Sequence, residues 1–260
     1  MFVGDSLTWE HYRTLVEILG GKTATLLQFR SKHRYMTIVQ PVCDHQQTFI
    51  MYRREDSLKG LDLYLEEKFP VVLILNRGAH YAPDDTFSAD LKTTFQHVSS
   101  WQQKCNEYGV RCYFFWRTSV PGHPGCNNFT GPVNNLTLME EILANNRDSP
   151  GNWRWEEFKH QNELALQLLD NSSVTDYDVI DAYPINMLRP DQHARPYETP
   201  GKGVDCLHSC RPGKMDVYNR LLQHFLIQRR SFADVQALEN FTFPWIRTTN
   251  VQADGHDIIY

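Results

Sequence analysis

The sequence predicts an α/β domain: a three-layer sandwich with a central, mostly parallel β-sheet between two layers of helices. Three observations predict it. Strand-like and helix-like segments alternate along the chain. Residues 71–75 (Val-Val-Leu-Ile-Leu) and 110–116 are apolar nearly throughout, as strands covered on both faces are. The 260 residues, 41% hydrophobic and 12% aromatic, supply enough apolar material for one such core.

The elements follow in order. Residues 1–4 read as a strand. From Thr8 to Leu19, apolar Tyr12, Leu15, Val16 and Leu19 recur at helical spacing, and Gly20-Gly21 stops the pattern. Residues 34–40 and 48–53 are β-rich. Ser57 is expected to cap a helix carrying Leu58, Leu61 and Leu65 on one face. After the strand at 71–75 comes a helix from about Thr86 to Glu107, then the strand at 110–116. Residues 118–152 are rich in Pro and Gly and read as loop, with a short helix near 137–145. Trp155 to Leu169 is helical, Tyr177 to Ala182 is the last strand, 184–210 is a long connection, and Lys214 to Gln228 is the final helix. The expected boundaries are a domain over 1–230 and an extension over 231–260 to which the pattern assigns no structure.

A net charge of −5 without blocks of like charge speaks against a nucleic-acid surface. No apolar run approaches the roughly 20 residues of a membrane helix. Met1-Phe2-Val3 reads as the end of a strand that starts upstream, so preceding residues are expected, and a signal or membrane anchor could lie only there. Asn128-Phe-Thr, Asn135-Leu-Thr, Asn171-Ser-Ser and Asn240-Phe-Thr are glycosylation sequons, and six cysteines is an even count. Together these favour a secretory compartment over a cytosolic one.

Ser6 stands directly after an apolar strand and directly before a helix. Such a turn lies at the carboxyl end of a parallel sheet, where open α/β folds place ligands. A nearby helix N-terminus offers unpaired N–H groups to a developing oxyanion. Alone, Gly4-Asp5-Ser6 reads rather as a helix N-cap. A serine nucleophile needs a base, and the base an orienting group. Asp205 and His208 supply both at a spacing of three, which brings two side chains together on one turn or tight loop. Alone, this too reads as a surface pair.

Taken together, the blocks resemble a known group. Phe2-Val3-Gly4-Asp5-Ser6-Leu7 resembles the first block of SGNH (GDSL-like) hydrolases. Asp205-Cys-Leu-His208-Ser-Cys210, with Pro212-Gly213, Asp216 and Asn219, resembles the last block of the PC-esterase / trichome-birefringence-like group. Asn76-Arg-Gly78-Ala-His80-Tyr81 is similar to that group's Asn-x-Gly-His segment, with His80 one residue late. Arg189, Asp191 and His193 are similar to a short Arg-x-Asp-x-His stretch. The resemblance implies a flavodoxin-like SGNH fold and O-acetyl transfer or ester hydrolysis on glycans, in the Golgi lumen or outside the cell. It implies Ser6 as nucleophile, His208 as base and Asp205 as its orienter. Asn76 would be an oxyanion donor beside the Ser6 N–H, with Gly78 allowing close substrate approach and His80 at the same site. The partners would be a glycan or polysaccharide acceptor and an acyl donor. A glycan-binding protein without turnover is the rival reading. No cofactor is expected, and no His/Cys/Asp set has metal-ligand spacing. Expected disulfides are Cys105–Cys112 and Cys126–Cys206, with Cys43 and Cys210 joined to each other or to upstream residues. His123 and His193 are expected to be exposed or hydrogen-bonded loop histidines. Trp9, Trp153 and Trp155 are expected to fill helix–sheet contacts, with sugar stacking as the lesser alternative.

Overall fold

The computed structural model describes residues 1–21, 37–42, 48–147, 153–193, 195–196 and 204–229. The expected roles of Cys43 and of the 231–260 extension lie outside these residues. The strands are Phe2–Gly4 (β1), Thr37–Val42 (β2), Thr48–Arg54 (β3), Val72–Leu75 (β4), Tyr113–Arg117 (β5) and Tyr177–Ile180 (β6). They form one sheet in the order β2-β3-β1-β4-β5-β6. β3, β1, β4, β5 and β6 are parallel, and β2 joins the edge antiparallel to β3. Arg195–Pro196 (β7) and Val204–Asp205 (β8) make a small separate ribbon. The chain leaves β1 toward β3 on one side and returns to β4 on the other, so the strand order reverses beside β1. That is the switch point where doubly wound sheets bind ligands, and Ser6 follows β1 directly.

The helices are Ser6–Ile18 (α1), Leu61–Lys68 (α2), Asp84–Glu107 (α3), Leu136–Asn145 (α4), Phe158–Asp170 (α5), Ala182–Met187 (α6) and Lys214–Arg229 (α7). Successive strand residues point to opposite faces. Phe2, Ile74, Tyr113 and Phe115 therefore pack with Tyr12 and Val16 of α1, Met139 of α4, Met187 of α6 and Tyr218 of α7. Val3, Leu73, Leu75, Phe114 and Trp116 pack with Leu61 and Leu65 of α2, Phe95 and Trp101 of α3, and Ala165 and Leu169 of α5. The expected three-layer α/β sandwich is the observed one, and double coverage explains why β4 and β5 are apolar without alternation.

Local signals set several boundaries. α1 stops at Gly20, which takes φ +75°, while Gly21 N–H donates to Val16 O and Gly20 N–H to Glu17 O. That pairing satisfies the last carbonyls of the helix. α2 starts later than expected. Ser57 Oγ donates to Glu55 instead of capping, Leu58 and Gly60 both have positive φ, and the helix opens only at Leu61. β5 opens at Tyr113 because a turn at Gly109 and the Cys105–Cys112 disulfide occupy the preceding residues. Trp155–Glu157 is a 3-10 turn ahead of α5, and β6 ends at Ile180 because Ala182 already begins α6.

Candidate active site

The nucleophile turn is built around a buried carboxylate. Asp5 caps α1, its Oδ1 accepting from Leu7 N–H (3.0 Å) and Thr8 N–H (3.2 Å). Its Oδ2 accepts from Ala79 N–H at 2.6 Å, which ties the turn after β1 to the turn after β4. Capping leaves the Ser6 N–H as the first-turn donor not taken by that carboxylate. Arg117, at the end of β5, is wholly buried and donates to Thr8 Oγ1 (3.0 Å) and Asn76 Oδ1 (2.8 Å). Burial pulls its pKa down and the Asp5 charge opposes that. The two buried charges thus offset one another beneath Ser6.

The other half of the site arrives from 202 residues later. His208 Nε2 lies 2.9 Å from Ser6 Oγ, and His208 Nδ1 lies 2.8 Å from Asp205 Oδ2. Asp205 Oδ1 accepts from Leu207 N–H and His208 N–H, both at 3.0 Å. Burial would raise the Asp205 pKa, but these bonds outweigh it and bring it down to about 2. Burial likewise works to lower His208, while the Asp205 bond and the charges of Glu10, Asp205 and Asp5 leave it raised. With Asp205 ionised, Nδ1 of His208 carries the proton, and Nε2 faces the Ser6 hydroxyl as an acceptor.

The loop carrying His208 is fixed at several points. Cys206 is bonded to Cys126, and its carbonyl accepts from His123 N–H at 2.8 Å. Cys210 N–H donates to Gln192 O, Lys214 N–H to Gln192 Oε1, and Arg211 is paired with Glu17 of α1. Both expected disulfides, Cys105–Cys112 and Cys126–Cys206, are present.

Asn76, Gly78 and His80 are placed as follows. Asn76 is buried, and both its amide hydrogens are spent, on Arg117 O (2.8 Å) and Ser119 Oγ (3.3 Å). Its Oδ1 accepts from Gly78 N–H and Arg117. Those bonds fix which end of the amide is which, so here Asn76 braces the turn and does not offer a donor to an oxyanion. Gly78 has φ +75°, and a Cβ there would lie 2.8 Å from the Asp5 carboxylate. The close approach it permits is thus to Asp5, not to a substrate. His80 is exposed and faces Asp56 Oδ2 at 3.4 Å and Arg54 at 3.5 Å, beyond the end of β3. His123 and His193 are hydrogen-bonded loop histidines, one of the two expected alternatives, and both are fully buried. Trp9 stacks on Tyr12 and Trp155 is buried, whereas Trp153 is 62% exposed. Among the described residues, no group of three or more His, Cys, Asp or Glu is placed to hold a metal ion.

Sequence reasoning passed over Glu10, Arg117 and Lys214. Lys214 shares a helical face with Tyr218, four residues on, and so falls on the side α7 buries. Arg117 ends a strand that is apolar on both faces. A cation in an otherwise apolar buried pattern is the signal that marks Arg117 and Lys214.

A mostly parallel sheet of this order, with a reversal of strand order beside a Ser–His–Asp cluster, is consistent with the architecture of an SGNH-like hydrolase. Comparison with known families agrees. The model of the PC-Esterase family, the GDSL/SGNH-like acyl-esterase family found in Pmr5 and Cas1p, matches residues 64–225, and the chain belongs to that family. The matched span contains Asn76, Asp205 and His208 and begins after Ser6. No curated protein matches the chain.

Proposed function

We propose that this chain transfers acyl groups through Ser6, His208 and Asp205, and that its physiological reaction is O-acetylation of a polysaccharide or glycan in the secretory pathway. The observation that carries the reading is the continuous hydrogen-bond path from Asp205 Oδ2 through His208 to Ser6 Oγ, with links of 2.8 and 2.9 Å. Ser6 Oγ attacks the carbonyl carbon of an acetyl donor as its proton passes to His208 Nε2. The negative charge on the carbonyl oxygen is met by the Ser6 N–H and the N-terminus of α1. Collapse expels the donor's oxygen, which takes the proton back from His208, and leaves an acetyl ester on Ser6. A sugar hydroxyl then gives its proton to His208 and attacks that ester, and Ser6 leaves with the proton. Asp205 remains ionised throughout and stabilises the imidazolium.

Hydrolysis to free acetate is the second reading. It is favoured by the 38% exposure of the His208 side chain, which leaves room for water as acceptor. Glycan binding without turnover is disfavoured because a bare binding site has no need of an aligned base and orienter. Two disulfides support an oxidising, lumenal or extracellular compartment. No helix among the described residues is long and apolar enough to cross a membrane.

The decisive experiment offers the protein an acetylated and a plain oligosaccharide side by side, the latter with an acetyl donor. Acetate release identifies an esterase, and acetyl gain by the plain sugar a transferase. Ser6→Ala abolishes either activity. Undiminished turnover by Ser6→Ala overturns the assignment.

A further inference from the structure

Behind His208, on the side away from Ser6, the structure buries a lysine and two histidines that the acyl-transfer steps do not use. His193 Nδ1 lies 2.9 Å from the carbonyl oxygen of His208. Lys214 Nζ lies 2.9 Å, and His123 Nδ1 2.6 Å, from His193 Nε2. All three side chains are buried.

Proton counting leaves one arrangement for His193. A carbonyl accepts only, so His193 Nδ1 carries a hydrogen and donates it. A neutral ring that donates from Nδ1 has its lone pair on Nε2, and that lone pair faces both the Lys214 amine, which burial pulls down to about 7, and His123 Nδ1. A second proton on His193 would set an N–H against Lys214 in its charged form. Burial, with the Lys214 charge next in importance, accordingly holds His193 well below the usual histidine range. Burial and the Lys214 contact therefore hold His193 neutral, and the His208 carbonyl selects the tautomer whose N–H is directed at it.

The same peptide is gripped at its other end. Ser209 N–H donates to both carboxylate oxygens of Glu10, at 3.1 and 3.2 Å. His208 C=O and Ser209 N–H belong to one peptide plane, whose orientation fixes the direction of the His208 side chain. Glu10 lies one helical turn after Ser6 on α1. The helix that carries the nucleophile thus also holds the peptide that carries the base.

We propose that Glu10 and His193 are positioning residues that clamp the His208–Ser209 peptide and so aim the His208 imidazole at Ser6, with Lys214 helping to hold His193 neutral. This rests on the reading of Ser6 and His208 under Proposed function. The geometry required of a serine–imidazole pair is narrow, and displacement of about 1 Å costs on the order of 10²-fold in rate.

The test compares His193→Leu, which fills the space without a donor, with His193→Asn, whose amide N–H reaches where Nδ1–H does. Two quantities are read. One is the rate at which a fluorophosphonate probe labels Ser6; the other is the pH at which the His208 ring titrates by NMR. Thermal midpoints are recorded for each variant so that folded samples are compared. His193→Leu is expected to label about 10- to 100-fold more slowly and to let the His208 titration fall toward the ordinary histidine value near 6.5. His193→Asn is expected to restore most of both. Glu10→Leu should act like His193→Leu, and the double variant should lose less than the product of the two, because either change alone frees the one peptide. A folded His193→Leu that labels at the wild-type rate with an unmoved His208 titration overturns the proposal. A wild-type protein that the probe does not label sinks the acyl-transfer reading instead, and the titration alone then decides the clamp.

Discussion

At the scale of single residues, the site rests on two carboxylates with opposite tasks. Asp205 is held ionised to orient the base, and Asp5 is buried to hold the turn. Asp205→Asn keeps the shape of the first but removes its charge, so Nδ1 of His208 loses the partner that fixes its proton. Turnover is expected to fall about 10³- to 10⁴-fold. The pH dependence should move with it. With His208 as the proposed base, catalysis needs it neutral, and its pKa is raised, so activity is expected to climb through a pH above the ordinary histidine value. In Asp205→Asn that limb shifts to lower pH. Stability runs the other way. The raised His208 contributes in full below its unfolded pKa, and the contribution is lost as pH rises through the folded value. Asp205 contributes above its ordinary pKa near 3.9, and its contribution is lost as pH falls toward about 2. A denaturation series in pH, with Asp205→Asn beside the wild type, reads both. Gly78→Ala probes the second carboxylate. A side chain at φ +75° is strained, and its Cβ would push on Asp5. A loss of about 1–3 kcal/mol in denaturant titration is expected, with slower probe labelling because Asp5 shifts the start of α1. The proximity of Ser6, Asp205 and His208 was expected from sequence because the resemblance of the two end blocks added to spacing and element order, neither of which sufficed alone. The bracing by Asn76 and Gly78 was not, since it depends on which of several polar neighbours the turn after β4 meets.

At the scale of elements, the sheet was readable and the connections were not. β4 and β5 announce themselves by unbroken apolar runs, and α1 by its period and its Gly20-Gly21 stop. The Ser57 cap failed because a serine cap needs helical residues directly after it, whereas Leu58 and Gly60 take positive φ. The stretch from 184 to 210 has no period to read. Its described residues are held by contacts distant in sequence: β7 on β8, Gln192 on Cys210 and Lys214, and Cys126 bonded to Cys206. That disulfide closes a separation of 80 residues. In the loop-entropy view it stabilises by about 4–5 kcal/mol, against about 2–3 kcal/mol for Cys105–Cys112, whose separation is 7. Removing it as Cys126→Ser with Cys206→Ser is therefore expected to cost more stability than removing the other pair. It should also lower turnover in protein that remains folded, because Cys206 sits between Asp205 and His208. Serine variants of Cys105 and Cys112, on α3 and before β5 in the opposite helix layer, should leave kcat near the wild-type value. Equal effects on turnover from both pairs would contradict a local role for the Cys126–Cys206 bridge.

At the scale of the whole molecule, the site exists only where the first and last described helices meet. α1 and α7 pack side by side on one face of the sheet, and Glu10 and Glu17 of α1 tie the base loop to that helix pair, while Cys126, His123, Gln192 and His193 hold it from the other connections. Such a protein has reason to mature where thiols oxidise, and its surface carries a second mark of that compartment. Asn128, Asn135 and Asn171 are all exposed, each in a sequon. Asn135 caps α4 by accepting the Leu138 N–H on its oxygen. A glycan would attach through the amide nitrogen, so modification leaves that cap intact. Asn171 uses its amide nitrogen to donate to Gln167 O, and a secondary amide retains one hydrogen for that bond. Protein recovered from the secretory pathway of a eukaryotic host is therefore expected to lose mass on treatment with an amidase that cleaves asparagine-linked glycans. Peptide mapping should place the sugars at Asn128, Asn135 and Asn171 and find Cys126 joined to Cys206 in the same sample. Unmodified asparagines at all three positions, together with reduced Cys126 and Cys206, would remove the secretory assignment and with it the expectation of a lumenal glycan acceptor. The acyl chemistry at Ser6 would stand, because it depends on the meeting of the two helices and not on where the chain folds.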